Sequence, residues 1–470
     1  MTNDNVCTEQ RTDGVALLEG MALRFAAFCR RFAHHFRSRT RDCATVSKQY
    51  LSGLLQAGKK NMERMEEVVL NSDEQALQHF CSNSPWDARQ VQAQVAAKAD
   101  EMLGGHENSC LLIDESGFIK KGKKSVGVSR QWNGRLGKVD NGQVAVFAAL
   151  AKDHHVTPVD VRLYLPEEWT KDRDRCLAAG VPPDRMVFKK KVALALEMIQ
   201  NQRQAGLRFQ WIGADGLYGH DPEFTQTLDD AGEIFMVDVH KDQRVYLEDP
   251  QPLVPEGESK PNRQSEKLPV GTDPIRVDQW TAMQPDRSWS PTTLRDSTKG
   301  KIRVEILHRR IWVWDGKGSV VRPWHLVVRR DAHSQSDYKY SLSNAPGDTP
   351  VNRLAFMQGQ RSWVERTFED GKSEAGMADY QMRGWLGWHH HMALVMMTML
   401  FMLEERILHQ QTHPLLSCSD IETLLAHFLP RRDVTVEEVL RQMDVRHRKR
   451  QASIDSAYRK QMRSTKGPFL

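Results

Sequence analysis

Two short apolar runs, each closed by an aspartate, constrain the fold most. Cys110-Leu111-Leu112-Ile113 runs into Asp114, and Trp211-Ile212-Gly213-Ala214 runs into Asp215. Runs of this length read as buried strands. A carboxylate at the C-terminal end of such a strand lies at the sheet edge where α/β folds place their ligands. Further apolar runs at Val144 to Phe147, Val159 to Leu165 and Ile234 to Val237, with helical stretches at 189–204 and 221–232, fill out the pattern between Cys110 and Val239. The early strands follow one another through short turns and the later ones are separated by helices. That predicts a mixed α/β sheet with an antiparallel start and a parallel end.

Around this region the texture changes. Residues 15–104 carry apolar positions at three- and four-residue spacing and read as helices, interrupted at Ser84-Pro85-Trp86-Asp87. Residues 240–348 open with a Pro/Gly/Asp-rich stretch from Asp249 to Pro291. Strand-like runs follow at 302–307, 310–314, 324–329 and 338–342. A mainly β insertion is expected there, because a structureless loop of that length inside a domain is uncommon. Helix returns at 357–375 and 385–409.

The net charge of the 470 residues is only +5, so it is the placement of charge that carries information. Between Ala22 and Lys60 stand nine Lys/Arg, Arg39 among them, against one acid, Asp42. Phe25, Phe28, Phe32 and Phe36 are interleaved and give the run an apolar face to pack. Such one-sidedness points to nucleic-acid contact. After Asp114 come Lys120, Lys121, Lys123, Lys124, Arg130, Arg135 and Lys138, with no acid from Phe118 to Lys138. That loop suits a DNA backbone, which rewards each neutralised phosphate through counterion release. Lys189-Lys190-Lys191 opens a helix, where cations oppose the helix dipole, and suggests anion binding. The last forty residues hold eleven Lys/Arg against five acids. Seven scattered cysteines without a C-x-x-C pair argue against a disulfide framework or a zinc knuckle. The opening segment has no apolar core, and the largely apolar run Met392–Leu403 is too short to span a bilayer. A soluble cytoplasmic protein is expected.

A third acidic element is helical, Arg361-Ser362-Trp363-Val364-Glu365-Arg366-Thr367-Phe368-Glu369-Asp370-Gly371-Lys372. Offsets of four and seven put Arg361, Glu365 and Lys372 on one face. Three acids converging from two strand ends and a helix can hold two Mg²⁺ ions, which suits phosphodiester chemistry. Taken singly, each acid reads as a turn or helix-surface residue; the conjunction is what counts. Glu369, one turn after Glu365, is the rival third ligand. Tyr218, in Asp215-Gly216-Leu217-Tyr218-Gly219, reads as a packing or DNA-stacking residue, and the glycines there allow close approach to the carboxylate. Trp363 reads as core or as a base-stacking ring. His389-His390-His391 cannot all reach one ion from a helix and are expected on its surface or in packing.

These elements resemble the DDE transposases of bacterial insertion sequences, more narrowly the branch with a Y-x2-R-x3-E-x6-K helix and a β insertion before the Glu. Asp114 to Gln131, Gly134 to Lys138 and Trp385-Leu-Gly-Trp-His-His-His are similar to that branch, and the resemblance covers about residues 45 to 405. It implies an RNase H-like α/β core, interrupted by the β insertion and flanked by helical N- and C-terminal regions, that cuts transposon ends and joins them to target DNA. Asp114, Asp215 and Glu365 are implied as the metal-binding triad for Mg²⁺, with Mn²⁺ as a substitute. Arg361 and Lys372 are implied as phosphate contacts. The family tyrosine falls on Gln358. The implied division is a basic DNA-binding region at 1–104, a core split into 105–239 and 349–410, the insertion at 240–348, and a basic tail at 411–470 for DNA or a second protomer. The implied partners are double-stranded DNA at the nucleoid and a second copy of the chain on it. A non-catalytic DNA-binding regulator and a nuclease that cuts without joining are the alternatives.

Overall fold

Helices fill the N-terminal region of the computed structural model, which describes residues 20–38, 41–134, 137–253, 268–269, 271–297, 300–316, 319–332 and 337–464. Arg39, Arg135 and residues 254–267 of the Pro/Gly/Asp-rich stretch lie outside the described residues. The chain divides into two units, Met1–Trp86 with Asp379–Gln381 and Ser419–Leu470, and Asp87–Ala378 with Met382–Cys418.

The first unit opens with α1 (20–32), α2 (Ala44–Gln56), α3 (Met62–Val68) and α4 (Glu74–Ser82). Phe25, Phe28, Phe32 and Phe36 are all buried, and Phe36 packs edge-on against Trp86 and Phe80 at 5.0 and 5.6 Å between ring centroids. The apolar face of the basic run is therefore core, and Arg30, Arg31, Arg37, Arg41, Lys48 and Lys59 remain exposed. Lys60 departs from the expected basic surface. It is buried, with Nζ 2.7 Å from Glu422 Oε1, because a buried ammonium needs a carboxylate partner.

The second unit begins with α5 (Ala88–Leu103), capped by the Asp87 carboxylate, which accepts the Arg89 N–H at 2.8 Å. Four strands follow: β1 (Ser109–Ile119), β2 (Ser129–Asn133), β3 (Lys138–Lys152) and β4 (His155–Leu163). Next come α6 (Glu167–Thr170), α7 (Arg173–Ala178), α8 (Lys191–Gln204), β5 (Trp211–Ala214), α9 (Gly216–Gly219), α10 (Pro222–Asp230) and β6 (Phe235–Val239). The core sheet runs β4–β3–β1–β5–β6 in space. β3 is antiparallel to β1 and β4, whereas β5 is parallel to both β1 and β6. This is the antiparallel start and parallel end that the strand spacing predicts, and it is the RNase H-like mixed sheet. Cys110–Ile113 is buried throughout, as suits a strand covered on both faces.

The insertion starts with a ribbon of β7 (Arg244–Val245) and β8 (Ile275–Arg276), then α11 (Val277–Ala282). It continues as β9 (Ser290–Ser297), β10 (Gly300–Val313), β11 (Arg322–Asp331) and β12 (Tyr338–Ser343). The runs read as two strands at 302–307 and 310–314 are one, β10. These four strands form no sheet of their own. β12 pairs antiparallel with β6, from Tyr340↔Val239 to Ser343↔Met236, and β11, β10 and β9 follow outward. The insertion thereby covers the β6 edge, which would otherwise present unpaired backbone groups.

The chain then forms α12 (Val351–Gln360), α13 (Ser362–Ser373) and α14 (Trp385–Leu408). α14 is buried at every residue from Gly387 to Leu403. His389, His390 and His391, for which a helix surface was one expectation, are therefore inside, because a helix that is apolar all round is enclosed by its neighbours. His389 Nδ1 lies 2.9 Å from the Trp385 carbonyl, and His391 Nε2 lies 3.1 Å from that of Gly376. α15 (Cys418–Phe428) and α16 (Val436–Ser464) complete the first unit, where Arg441 of α16 bonds Glu66 at 2.8 Å. Among the described residues no helix is long and apolar enough to cross a membrane.

Candidate active site

The parallel neighbour of β1 ends early. β5 stops at Ala214, opposite Ile113, so Asp114 and Glu115 run past it. Asp215 follows as the N-cap of α9, with Oδ1 accepting the Leu217 N–H at 2.9 Å. Asp114, Glu115 and Asp215 each offer a carboxylate oxygen, and these oxygens lie within 4.8 Å of one another. Glu115 is held on both sides: Lys191 Nζ donates to Oε1 at 2.9 Å and the Tyr218 hydroxyl to Oε2 at 3.2 Å. Lys191, expected as an anion binder, is thus paired within the protein, and Lys189 is paired with Glu197. Tyr218 is fully buried, a packing residue rather than a DNA-stacking one. Gly219 is explained by packing too. A Cβ there would meet the Asp238 carbonyl oxygen at 2.0 Å, so α9 lies close on β6 only with glycine at this position.

Arg361 is the joint between α12 and α13. Its Nε lies 2.7 Å from Asp238 Oδ2, its Nη2 2.9 Å from Glu365 Oε1 and its Nη1 3.7 Å from Asp114 Oδ2. Asp238 is held in turn, since Oδ1 accepts the Ser341 hydroxyl at 2.7 Å and Ser341 Oγ accepts Gln358 Nε2 at 2.8 Å. Gln358, at the position of the family tyrosine, is therefore buried beneath the site.

α13 turns Val364, Thr367, Phe368 and Gly371 inward, and Phe368 meets Phe147 edge-on at 5.2 Å. Glu365, Glu369 and Lys372 line a cleft of about 850 Å³ shared with Asp114, Glu115 and Asp215. Lys372 Nζ donates to the Gly117 carbonyl at 3.3 Å, tying α13 to β1. The opposite wall carries Trp132, 61% exposed on β2. Lys121, Lys123, Lys124, Arg130 and Lys138 are exposed and Lys120 is half-buried; Lys138 stands 3.4 Å from Asp140. Trp363 is half-covered, with the Arg295 guanidinium stacked 4.1 Å from its ring centroid.

Burial and mutual repulsion dominate the electrostatics. Burial, then the Asp215 charge, pushes Asp114 well above the carboxylate range, against the pull of Arg361. Burial, then Glu115, pushes Asp215 up to about 6, again opposed by Arg361. Three crowded carboxylates facing one guanidinium form a site complementary to a divalent cation. Their oxygens are the hard donors that Mg²⁺ and Mn²⁺ take.

A family model described as DDE superfamily endonuclease matches residues 31–301. The chain belongs to the DDE superfamily of endonucleases. The matched span holds Asp114, Glu115, Asp215 and Asp238, whereas Arg361, Glu365 and Lys372 lie beyond it. Over 325 residues the chain is 25% identical to a probable transposase for insertion sequence element IS701 from Microchaete diplosiphon, covering 69% of this chain and 73% of that protein. The NurA nuclease from Sulfolobus solfataricus overlaps 60% of this chain and 86% of its own at 9% identity. The TM-score between the two is 0.23.

In this DDE superfamily endonuclease three cleft or cleft-supporting residues escaped the sequence reading. Glu115 did because consecutive strand residues point to opposite faces, which argues against two of them sharing one site. Asp238 was signalled only as a lone acid within a buried strand, and Trp132 carried no signal beyond its basic neighbours.

Proposed function

We propose that this endonuclease is a transposase that binds the ends of an insertion sequence in double-stranded DNA, cleaves them and joins them to target DNA. The clustering of the Asp114, Glu115 and Asp215 carboxylates in one cleft with Glu365 is the observation that carries the reading. The similarity to the IS701 transposase supports it. Asp114, Asp215 and Glu365 would hold Mg²⁺, with Mn²⁺ substituting. When held there, such ions would supply Lewis acidity to a water or 3′-hydroxyl and to the leaving oxygen.

The chain's own residues supply the rest. Glu115 is already engaged by Lys191 and Tyr218, while Glu365 is 58% exposed and held through Arg361. This favours Glu365 as the third ligand. Arg361, oriented by Asp238, and Lys372 present N–H donors to phosphates. Lys120, Lys121, Lys123, Lys124, Arg130 and Lys138 follow the DNA backbone. Residues 1–104 bind the ends, 105–239 and 349–410 form the core around the 240–348 insertion, and 411–470 binds DNA or a second protomer. Cutting two ends requires at least a dimer on DNA, at the bacterial nucleoid.

A strand-transfer assay tests the joining step. Duplex ends taken from the DNA flanking the reading frame, incubated with full-length protein, Mg²⁺ and a plasmid, are expected to become covalently attached to the plasmid. Cutting without attachment would reassign the protein as a stand-alone nuclease.

A further inference from the structure

The β insertion builds a second charged site next to Arg361. Arg329 of β11 and Lys339 of β12 are direct cross-strand partners, a like-charge pairing that weakens a sheet. Arg295 of β9 lies over the Trp363 ring, with its guanidinium carbon 4.1 Å from the centroid. With Gln360 at the end of α12, these residues line a pocket of about 210 Å³ over Ile302 and Val304. Ser362, the residue after Arg361, lines it as well.

Two observations mark the pocket as made for an anion. Among the described residues, none of the three cations forms an ion pair or hydrogen bond, although Asp331 and Asp337 also line the walls. Gln360, buried at the end of α12, adds its amide to the lining. Burial lowers the proton affinity of Arg295, Arg329 and Lys339; around the last two, nearby cations including Arg361 lower it further, while Asp238 acts in the opposite sense. Arg295 and Arg329 are half-buried and Lys339 is exposed, so the two guanidiniums gain most from a partner that replaces lost water. A tetrahedral phosphate, with several acceptor oxygens, accepts from arginine, lysine and amide together.

We propose that this pocket binds one phosphodiester of the substrate DNA strand through Arg295, Arg329, Lys339 and the Gln360 amide. The proposal rests on the reading that DNA is the substrate. It gives the insertion a share in holding the strand whose neighbouring phosphate lies in the cleft.

The test compares full-length wild type, Arg329→Gln/Lys339→Gln and Arg329→Lys for binding to a duplex from the flanking DNA over a range of salt concentrations. In the double variant the slope of log K against log[salt] is expected to shrink by about 0.9, the loss of one phosphate contact. Arg329→Lys keeps the slope. The double variant should melt no lower than wild type, because a like-charge pair has been removed. An unchanged slope overturns the proposal, whether or not DNA is cut. A clear drop in melting temperature also overturns it, by making the cations structural. If inorganic phosphate raises the wild-type melting temperature while the slopes agree, the pocket takes a free anion and the DNA assignment is wrong. A wild type that binds duplex but cuts nothing defeats the cleavage reading alone, and the slopes still decide the pocket. Failure to bind any duplex defeats both.

Discussion

Arg361 binds Asp238 through Nε at 2.7 Å, and Asp238 is itself held by Ser341. A hydrogen-bonded chain from Gln358 through Ser341 and Asp238 thus orients the guanidinium that reaches Glu365 and Asp114. Asp238→Asn keeps an acceptor for Ser341 but weakens the grip on Arg361. Single-turnover cleavage should slow by roughly 10- to 100-fold, the scale of a small misplacement at a reacting centre, with duplex affinity little changed. A wild-type rate would show that Arg361 needs no such support.

The fit of α9 on β6 leaves no room for a methyl group at Gly219. Gly219→Ala should lose about 1–3 kcal/mol of stability in denaturant titrations, as overpacking of a tight contact does. Cleavage should fall with it, since Asp238 moves. Unchanged stability would mean that the glycine serves close approach by a ligand instead.

Tyr218→Phe removes one hydrogen bond to Glu115 and leaves that of Lys191. A stability loss of about 1 kcal/mol is expected. Because the ring is fully buried, duplex affinity should stay at the wild-type value. A large loss of affinity would restore the DNA-stacking role.

Burial pushes His391 down to about 3. In the unfolded chain an imidazole titrates near 6.5, so between roughly pH 3 and 6.5 the unfolded state takes up a proton that the folded state refuses. The stability supplied by neutral His391 is therefore present above pH 6.5 and drains away as pH falls. Asp160 and Asp215, pushed up to about 6, act in the opposite sense. The comparison is thus best made between wild type and His391→Gln. Their stability difference should shrink by about 1 kcal/mol between pH 6.5 and 5.5. A constant difference would mean that His391 is protonated inside the fold.

The parts of the fold legible in sequence were those set by local pattern. Cys110–Ile113 and Trp211–Ala214 announced themselves as buried strands, and the aspartates closing them fell together at the sheet edge. β9 was invisible because Ser290–Ser297 is mostly polar, and β10 was split because His308-Arg309-Arg310 interrupts its apolar rhythm. The pairing of β6 with β12 joins residues about a hundred positions apart, which periodicity cannot report. Lys189 and Lys191 looked like anion binders because Glu197 and Glu115 reach them only in three dimensions. Gln358 could be placed at the family tyrosine, but its burial follows from how α12 packs beside β11 and β12. Glu115 stayed hidden because the early end of β5, not the strand alternation, decides where its carboxylate goes.

The most direct test maps new DNA ends after wild type and Asp114→Ala are incubated with Mg²⁺ and the DNA flanking the protein's own reading frame. The account predicts metal-dependent cuts at the tips of inverted repeats with wild type. It predicts none with Asp114→Ala, which should still bind the same duplex. Equal cutting by Asp114→Ala would contradict the assigned site, and tight binding without cuts by wild type would make the protein a DNA-binding regulator.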